Sequence, residues 1–223
     1  MPALDFERDG AERVAGALDA AVLRRIVRAL PQLAHHQAGT RLHGVRRLRP
    51  ILAATGPVGR IAAERLGSEC RPVRAILFDK TPDTNWSLPW HQDQVIAVRS
   101  PREVEGFAPW TIKSGLHHVV PPFGLMAGMV TLRIHLDPVP ASNAPLLVVP
   151  GSHRLGRITT DQADAVAEQY GSVPCMAEAG DVWLYATPIL HGSATAEQPS
   201  HRRVLQVDYA ATALPGGLMW LGV

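Results

Sequence analysis

From about residue 73 the chain changes its period, and that change limits the folds open to it. Apolar residues recur at every second position in short runs: Val73–Asp79, His91–Val98, Met129–Asp137, Leu146–Val149, Asp181–Ala186 and Arg203–Tyr209, with Pro and Gly between them. Alternation over short, punctuated segments predicts the strands of a β-sandwich or barrel. Ahead of them the spacing is helical. Leu18, Ala21, Val22, Ile26 and Leu30 fall mostly three and four residues apart between Ala17 and Leu30, with Arg24, Arg25 and Arg28 between them. A second helix is expected over Val58–Leu66, opened by Pro57 and closed by Gly67. A length of 223 residues suits one domain, 1–223, around one core.

Within Met129–Asp137, Val130, Leu132, Ile134 and Leu136 share one face, while Thr131, Arg133, His135 and Asp137 share the other. In a plain sandwich the polar face is solvated; in a barrel with an internal site it lines the cavity. Periodicity alone leaves both open. The stretch Arg99–Gly128, rich in Pro and Gly and carrying Trp110, Lys113, His117 and His118, reads as a long irregular connection and a candidate cover for a binding site. The His35–His36 and His117–His118 pairs are expected in solvent-exposed loops.

Charge and cysteine usage exclude several classes. The formal net charge is +2 and the basic residues are scattered, so neither nucleic acid nor an anionic membrane is an expected partner. Cys70 and Cys175 stand far apart in no metal-ligand or redox spacing and read as buried thiols. The N-terminus lacks the apolar run and small-residue site of a secretion signal, and no stretch approaches the ~18 apolar residues of a membrane span. A cytoplasmic location is the expectation.

The chemistry concentrates in two places. In Pro89-Trp90-His91-Gln92-Asp93 a histidine and an aspartate lie two residues apart on an expected strand. Alternation puts both on one face, about 7 Å apart along the backbone, able to converge on one ion. The second place is Gly180-Asp181, which starts a strand that Pro188 interrupts before His191-Gly192-Ser193. His91, Asp93 and His191 would form a two-histidine, one-carboxylate facial triad, which holds Fe(II) and leaves adjacent positions open for a bidentate 2-oxo acid and oxygen. The same donors also suit Zn(II). In Ser200–Tyr209, alternation groups Arg203, Leu205, Val207 and Tyr209 on the more apolar face and Arg202, Val204, Gln206 and Asp208 on the other. Arg202 is therefore the candidate to grip a ligand carboxylate with its fork of donors.

These residues resemble the phytanoyl-CoA dioxygenase family of iron(II)- and 2-oxoglutarate-dependent oxygenases. The resemblance rests on Phe6-Glu7-Arg8-Asp9-Gly10, Trp90-His91-Gln92-Asp93, Asn143-Ala144-Pro145-Leu146, Val149-Pro150-Gly151-Ser152-His153, and His191-Gly192-Ser193 followed by Arg202, in order over nearly the whole chain. It implies a mainly β fold, a double-stranded β-helix (jelly-roll, cupin-like) core with flanking N-terminal α-helices. It also implies that His91, Asp93 and His191 are the iron ligands, and that Arg202 and Ser193 contact 2-oxoglutarate. The turn departs from the family's more usual Asn-Gly-Pro-Leu, and Ala144 sits where alanine disfavours a positive φ. His153 is read as part of its turn and not as a ligand.

What the resemblance implies is oxidative decarboxylation of 2-oxoglutarate to succinate and carbon dioxide, coupled to hydroxylation of a small organic substrate by O2. Related halogenases carry a small residue at the position of Asp93, so a carboxylate there disfavours halogenation. Arg133, His135, Lys80 and Trp110 are the substrate candidates, suited to an anionic or polar molecule. Two rivals stay open: a cupin-like metal-dependent isomerase or hydrolase, with zinc and with Arg202 on the substrate, and a non-catalytic small-ligand-binding protein on the same fold.

Overall fold

In the computed structural model, which describes residues 3–31 and 39–223, the alternating segments assemble into three antiparallel sheets. The expected His35–His36 loop lies outside the described residues. The largest sheet orders β1 (Ala11–Val14), β11 (Val182–Ala186), β8 (Val130–His135), β13 (Arg202–Ala210), β3 (Arg71–Lys80) and β2 (Gly39–Leu42). The second orders β10 (Val173–Pro174), β9 (Leu147–Val148), β12 (His191–Ser193) and β4 (Leu88–His91). The third orders β5 (Ile96–Val98), β7 (Leu116–Val119) and β6 (Trp110–Lys113). The first two face each other as a double-stranded β-helix, the mainly β, cupin-like architecture expected.

The two faces of the six-stranded sheet have different fates. Its outer face carries Val130, Leu132, Ile134, Val182, Leu184, Leu205 and Val207 into the main core. Helix α2 (Ala20–Ala29) brings Ile26 to that core, α3 (Arg49–Leu52) brings Ile51 and Leu52, and α4 (Gly59–Leu66) brings Ile61 and Ala62. Fully burying one such aliphatic side chain stabilises by about 1.5–3 kcal/mol, which is what fixes the helices on this side. The Asp19 side chain caps α2 by accepting from the Val22 N–H at 2.8 Å, and α1 (Phe6–Asp9) ends at Gly10 in the left-handed conformation. Arg133, Gln206 and Arg202 lie on the inner face, toward the second sheet.

Several expectations need correction. The run His91–Val98 is not one strand: β4 ends at His91, β5 begins at Ile96, and Asp93 lies in the irregular segment between. Arg99–Gly128 is not irregular either, since it contains β6, β7 and α5 (Phe123–Ala127) packed on a second apolar cluster with Val73, Leu218 and Trp220. His118 is accordingly 0% exposed in β7, the opposite of the expected solvated loop. Helix α6 (Thr160–Tyr170) was not anticipated, because its buried positions are the small residues Ala163 and Ala167, which leave a faint apolar period. A capping box between Thr159 and Gln162 starts it, and it packs beside Val149, Ile158 and Leu190. Both cysteines are buried free thiols. Among the described residues no helix is long and apolar enough to cross a membrane.

Candidate active site

Strands β4 and β12 pair so that His91 and His191 are direct cross-strand partners, with ring centroids 4.3 Å apart. The approach requires Gly192: a Cβ there would stand 3.1 Å from both the Leu88 carbonyl oxygen and the Trp90 ring. Each imidazole is oriented by the carbonyl two residues before it, His91 Nδ1 by Pro89 at 2.8 Å and His191 Nδ1 by Ile189 at 2.9 Å. A carbonyl only accepts, so both rings carry their proton on Nδ1 and leave Nε2 as the lone-pair donor. Burial, reinforced by the neighbouring His91, pushes the His191 pKa down to about 4. His191 is therefore neutral at pH 7, the form that binds a metal.

Beyond the end of β4, Asp93 meets Arg74 of β3, whose Nη2 lies 2.9 Å from Oδ2, and the Gln206 side chain donates to the same oxygen at 3.4 Å. Burial opposes ionisation of Asp93, but the Arg74 charge outweighs it and holds the carboxyl well below the usual range. Arg74 also donates to Asp208, which accepts from the Thr131 hydroxyl at 3.1 Å. Among the described residues no three His, Cys, Asp or Glu side chains converge tightly enough to hold an ion. His91, Asp93 and His191 nevertheless line one cavity, and the donor set fits a divalent metal: two imidazoles whose Nδ1 atoms are taken by carbonyls, leaving Nε2 to coordinate, and one ionised carboxylate.

The residues between the chemical ones position them. Buried Gln92 donates to the carbonyls of Pro188 at 2.8 Å and Gly156 at 3.0 Å, and accepts from the Ile158 N–H at 2.8 Å. It ties the His91–Asp93 segment to the turn before His191. The Ser152 hydroxyl accepts from the Leu190 N–H at 2.9 Å and donates to the Val149 carbonyl at 2.7 Å, holding that turn from the other side. His153 packs on Gly10, where a Cβ would come within 2.1 Å of the ring, and does not line the cavity.

The cavity, about 540 Å³, lies between the two sheets and is markedly basic on one wall. Arg202 lines it; its Nη1 donates to the carbonyls of Asn143 and Ala144, and its buried Nε has no partner. Burial, with the neighbouring Arg133 charge, pulls the Arg202 pKa down to about 10. Ala144 does adopt the left-handed conformation, φ 44° and ψ 65°. Ser193 lines the cavity too, and behind it Lys80 donates to the Ala194 carbonyl at 2.8 Å and stands 3.4 Å from the Ser193 hydroxyl. Arg133 lines the cavity and donates to Gln206 at 2.8 Å, with its Nε buried and unpartnered. Arg203 turns away, to Asp137 at 2.7 Å.

Among the substrate candidates, only Arg133 reaches the cavity wall. Lys80 is buried behind Ser193. His135 is 2% exposed, does not line the cavity, and is driven by burial to a pKa of about 3. Trp110 packs against the second apolar cluster because β6 pairs with β7, whereas Trp86, two residues ahead of β4, lines the cavity. Sequence reasoning passed over Arg74, although its alternation with Ile76 and Phe78 in the Val73–Asp79 run marks all three for one face, and all three line the cavity.

Comparison with known proteins agrees with this architecture. Among solved structures, EctD from S. alaskensis in its apoform superposes with a TM-score of 0.68 at 19% identity, covering 98% of this chain and 78% of that one. The epimerase SnoN, in complex with Fe3+, alpha ketoglutarate and nogalamycin RO, gives 0.63 at 19% identity, covering 95% and 88%. HygX from Streptomyces hygroscopicus, with nickel and 2-oxoglutarate bound, gives 0.58 at 14% identity, covering 92% and 84%. At such identities these similarities establish the fold alone. No curated protein matches the sequence. The model of the family described as phytanoyl-CoA dioxygenase (PhyH) matches residues 6–204, and the chain belongs to that family.

Proposed function

We propose that this protein is an iron(II)- and 2-oxoglutarate-dependent dioxygenase that hydroxylates a small organic molecule. The observation that carries the reading is the pair of facing imidazoles, each committed to the Nδ1–H tautomer, in one cavity with an ionised carboxylate. His91, Asp93 and His191 would hold the metal, with Asp93 keeping Oδ2 on Arg74 and offering its other oxygen. Iron bound there supplies dioxygen activation coupled to decarboxylation of 2-oxoglutarate into succinate and carbon dioxide.

The chain's own residues take and orient the organic groups. Arg202 meets the distal carboxylate of 2-oxoglutarate as a charged fork, and the Ser193 hydroxyl donates beside it. Among the described residues Arg202, Arg133 and Lys80 make no ion pair with any carboxylate, so this wall is short of negative charge until a carboxylate ligand arrives. Lys80, held on the Ala194 carbonyl, adds positive charge behind Ser193. The carboxylate of Asp93 occupies the position where a halogenase needs room for halide, which favours hydroxylation. The bound iron and alpha ketoglutarate of SnoN and the nickel and 2-oxoglutarate of HygX support the same cofactor pair, while SnoN, an epimerase, marks the outcome on the substrate as the finer question.

The test is succinate formation from 2-oxoglutarate under air with added Fe(II). Release that requires both iron and oxygen, and that is lost in His191→Ala while the fold persists, is expected. Metal binding without any consumption of 2-oxoglutarate would overturn the assignment. Once a stimulating substrate is found, a product carrying one additional oxygen atom means hydroxylation, and an isomeric product means epimerisation.

A further inference from the structure

We propose that Arg41 and Lys113, at the mouth of the same cavity, form a subsite for an anionic group on the organic substrate, a carboxylate or a phosphate monoester. The inference rests on the oxygenase reading above and adds the substrate class.

Arg41 lies on β2, the edge strand of the six-stranded sheet, opposite Ile76 of β3. Ile76 in turn is opposite Gln206 of β13, whose side chain reaches Asp93 at 3.4 Å. Arg41 therefore sits on the rung of the sheet that faces the histidines and the aspartate. Arg202 is four residues further along β13 and two strands away, a Cα separation of about 16 Å by strand geometry. A 2-oxoglutarate anchored by Arg202 does not extend to Arg41, and a substrate anchored by Arg41 is held beside the reacting centre.

Among the described residues the charges at the mouth, Arg41 and Lys113, form no ion pair, and Arg41 feels only the through-space attraction of Asp93. Among the described residues Arg41 Nη1 reaches only the Ser114 hydroxyl, at 3.4 Å, and its Nε is sealed from water without a partner. The nearby Asp93 is already committed to Arg74, and Arg74 itself repels Arg41. Burial and that repulsion pull the Arg41 pKa down, so the guanidinium stays charged at a cost that an anionic ligand offsets. Trp86, Phe78 and Leu88 line the adjoining wall, which suits an apolar or aromatic body joined to the anionic group.

The experiment is calorimetric titration of the protein loaded with nickel and 2-oxoglutarate. The probes are small carboxylic acids, phosphate monoesters and, for each carbon skeleton, the neutral primary amide or alcohol. An acid or phosphate should bind at least about tenfold more tightly than its neutral counterpart, and which of the two does so names the anion. Arg41→Gln and Lys113→Gln should each weaken that binding about tenfold and erase the preference, while Arg41→Lys retains it. Melting temperatures of the variants report that they are folded. Neutral probes binding as tightly as anions, no probe binding at all, or a preference that survives Arg41→Gln would overturn the subsite. Failure of the nickel-loaded protein to bind 2-oxoglutarate in the first titration would instead remove the oxygenase reading on which it rests.

Discussion

Two buried arginines on the same inner sheet face, Arg74 and Arg202, live in opposite circumstances. Arg74 is held between two carboxylates, Asp93 and Asp208, and the second of these is held in turn by Thr131. Among the described residues Arg202 reaches two backbone carbonyls and no carboxylate, and Arg133 beside it likewise pairs with no carboxylate. A buried guanidinium whose charge is answered internally is scaffold; one left unanswered is costly in the empty protein and gains when an anion binds. The contrast separates the part of the cavity that would shape the proposed metal site from the part that would receive ligands.

The contrast breaks most visibly at Arg74. Arg74→Ala strands Asp208 and Asp93 as buried carboxylates, and loss of one partner from a buried pair costs about 3–5 kcal/mol. For a chain of this size that is a fall in Tm on the order of 6–20 °C, readable by calorimetry. Arg202→Met in the protein without ligand should leave Tm unchanged or raise it, since it removes an unpaired buried charge. If both variants melt alike, the division into scaffold and receptor is wrong.

Ligand binding tests the receiving side. Arg202→Ala should weaken 2-oxoglutarate by some thirty- to several-thousand-fold, from the roughly 2–5 kcal/mol that a buried carboxylate contact commonly carries. Arg203→Ala should change it little, because Arg203 pairs with Asp137 outside the cavity. The half-saturating 2-oxoglutarate concentration for succinate release measures both, and equal effects would reverse the assignment.

Acid sharpens the comparison from the side of the histidines. His191 and His135 have folded pKa values of about 4 and about 3, below the ordinary value near 6.5, because burial disfavours their charged forms. The unfolded chain then binds more protons than the folded one as pH drops through this window. Stability should be fully present above about 6.5 and fall toward pH 4 by roughly 1.4 kcal/mol per pH unit for each histidine. Denaturant midpoints between pH 7 and 4.5 should show the decline, and His135→Leu should make it shallower. A flat profile would mean that these rings take up protons in the folded chain at the same pH as in the unfolded one.

The smallest effect concerns the turn that Arg202 grips. Ala144 occupies a left-handed conformation that costs a non-glycine residue about 1–2 kcal/mol, and glycine returns part of that gain through its freer unfolded chain. Ala144→Gly should raise stability by about 1 kcal/mol or less, a shift in Tm of a few degrees. A loss of stability would show that the methyl group's packing outweighs the backbone strain.

The sequence by itself determined which residues share a face of each strand. The period-two runs separated Val130, Leu132 and Ile134 from Arg133, and Leu205 and Val207 from Arg202 and Gln206, because a pleated strand cannot send neighbouring side chains to the same side. The motif residues His91, Asp93, His191, Arg202 and Ser193 could be named from the spacing of their motifs and the family resemblance those carry, although Asp93 sits beyond the strand end and not on the strand, and all five line one cavity. Tertiary structure alone decided what lies between and around them. Where β4 ends, that Asp93 turns to Arg74, that Trp86 and not Trp110 reaches the cavity, and that Arg99–Gly128 folds onto a second core all depend on contacts between segments far apart in the chain. Local pattern sets the face a side chain takes, but the partner waiting on that face is supplied by another strand. A charge reads as scaffold or as receptor only once that partner is in place.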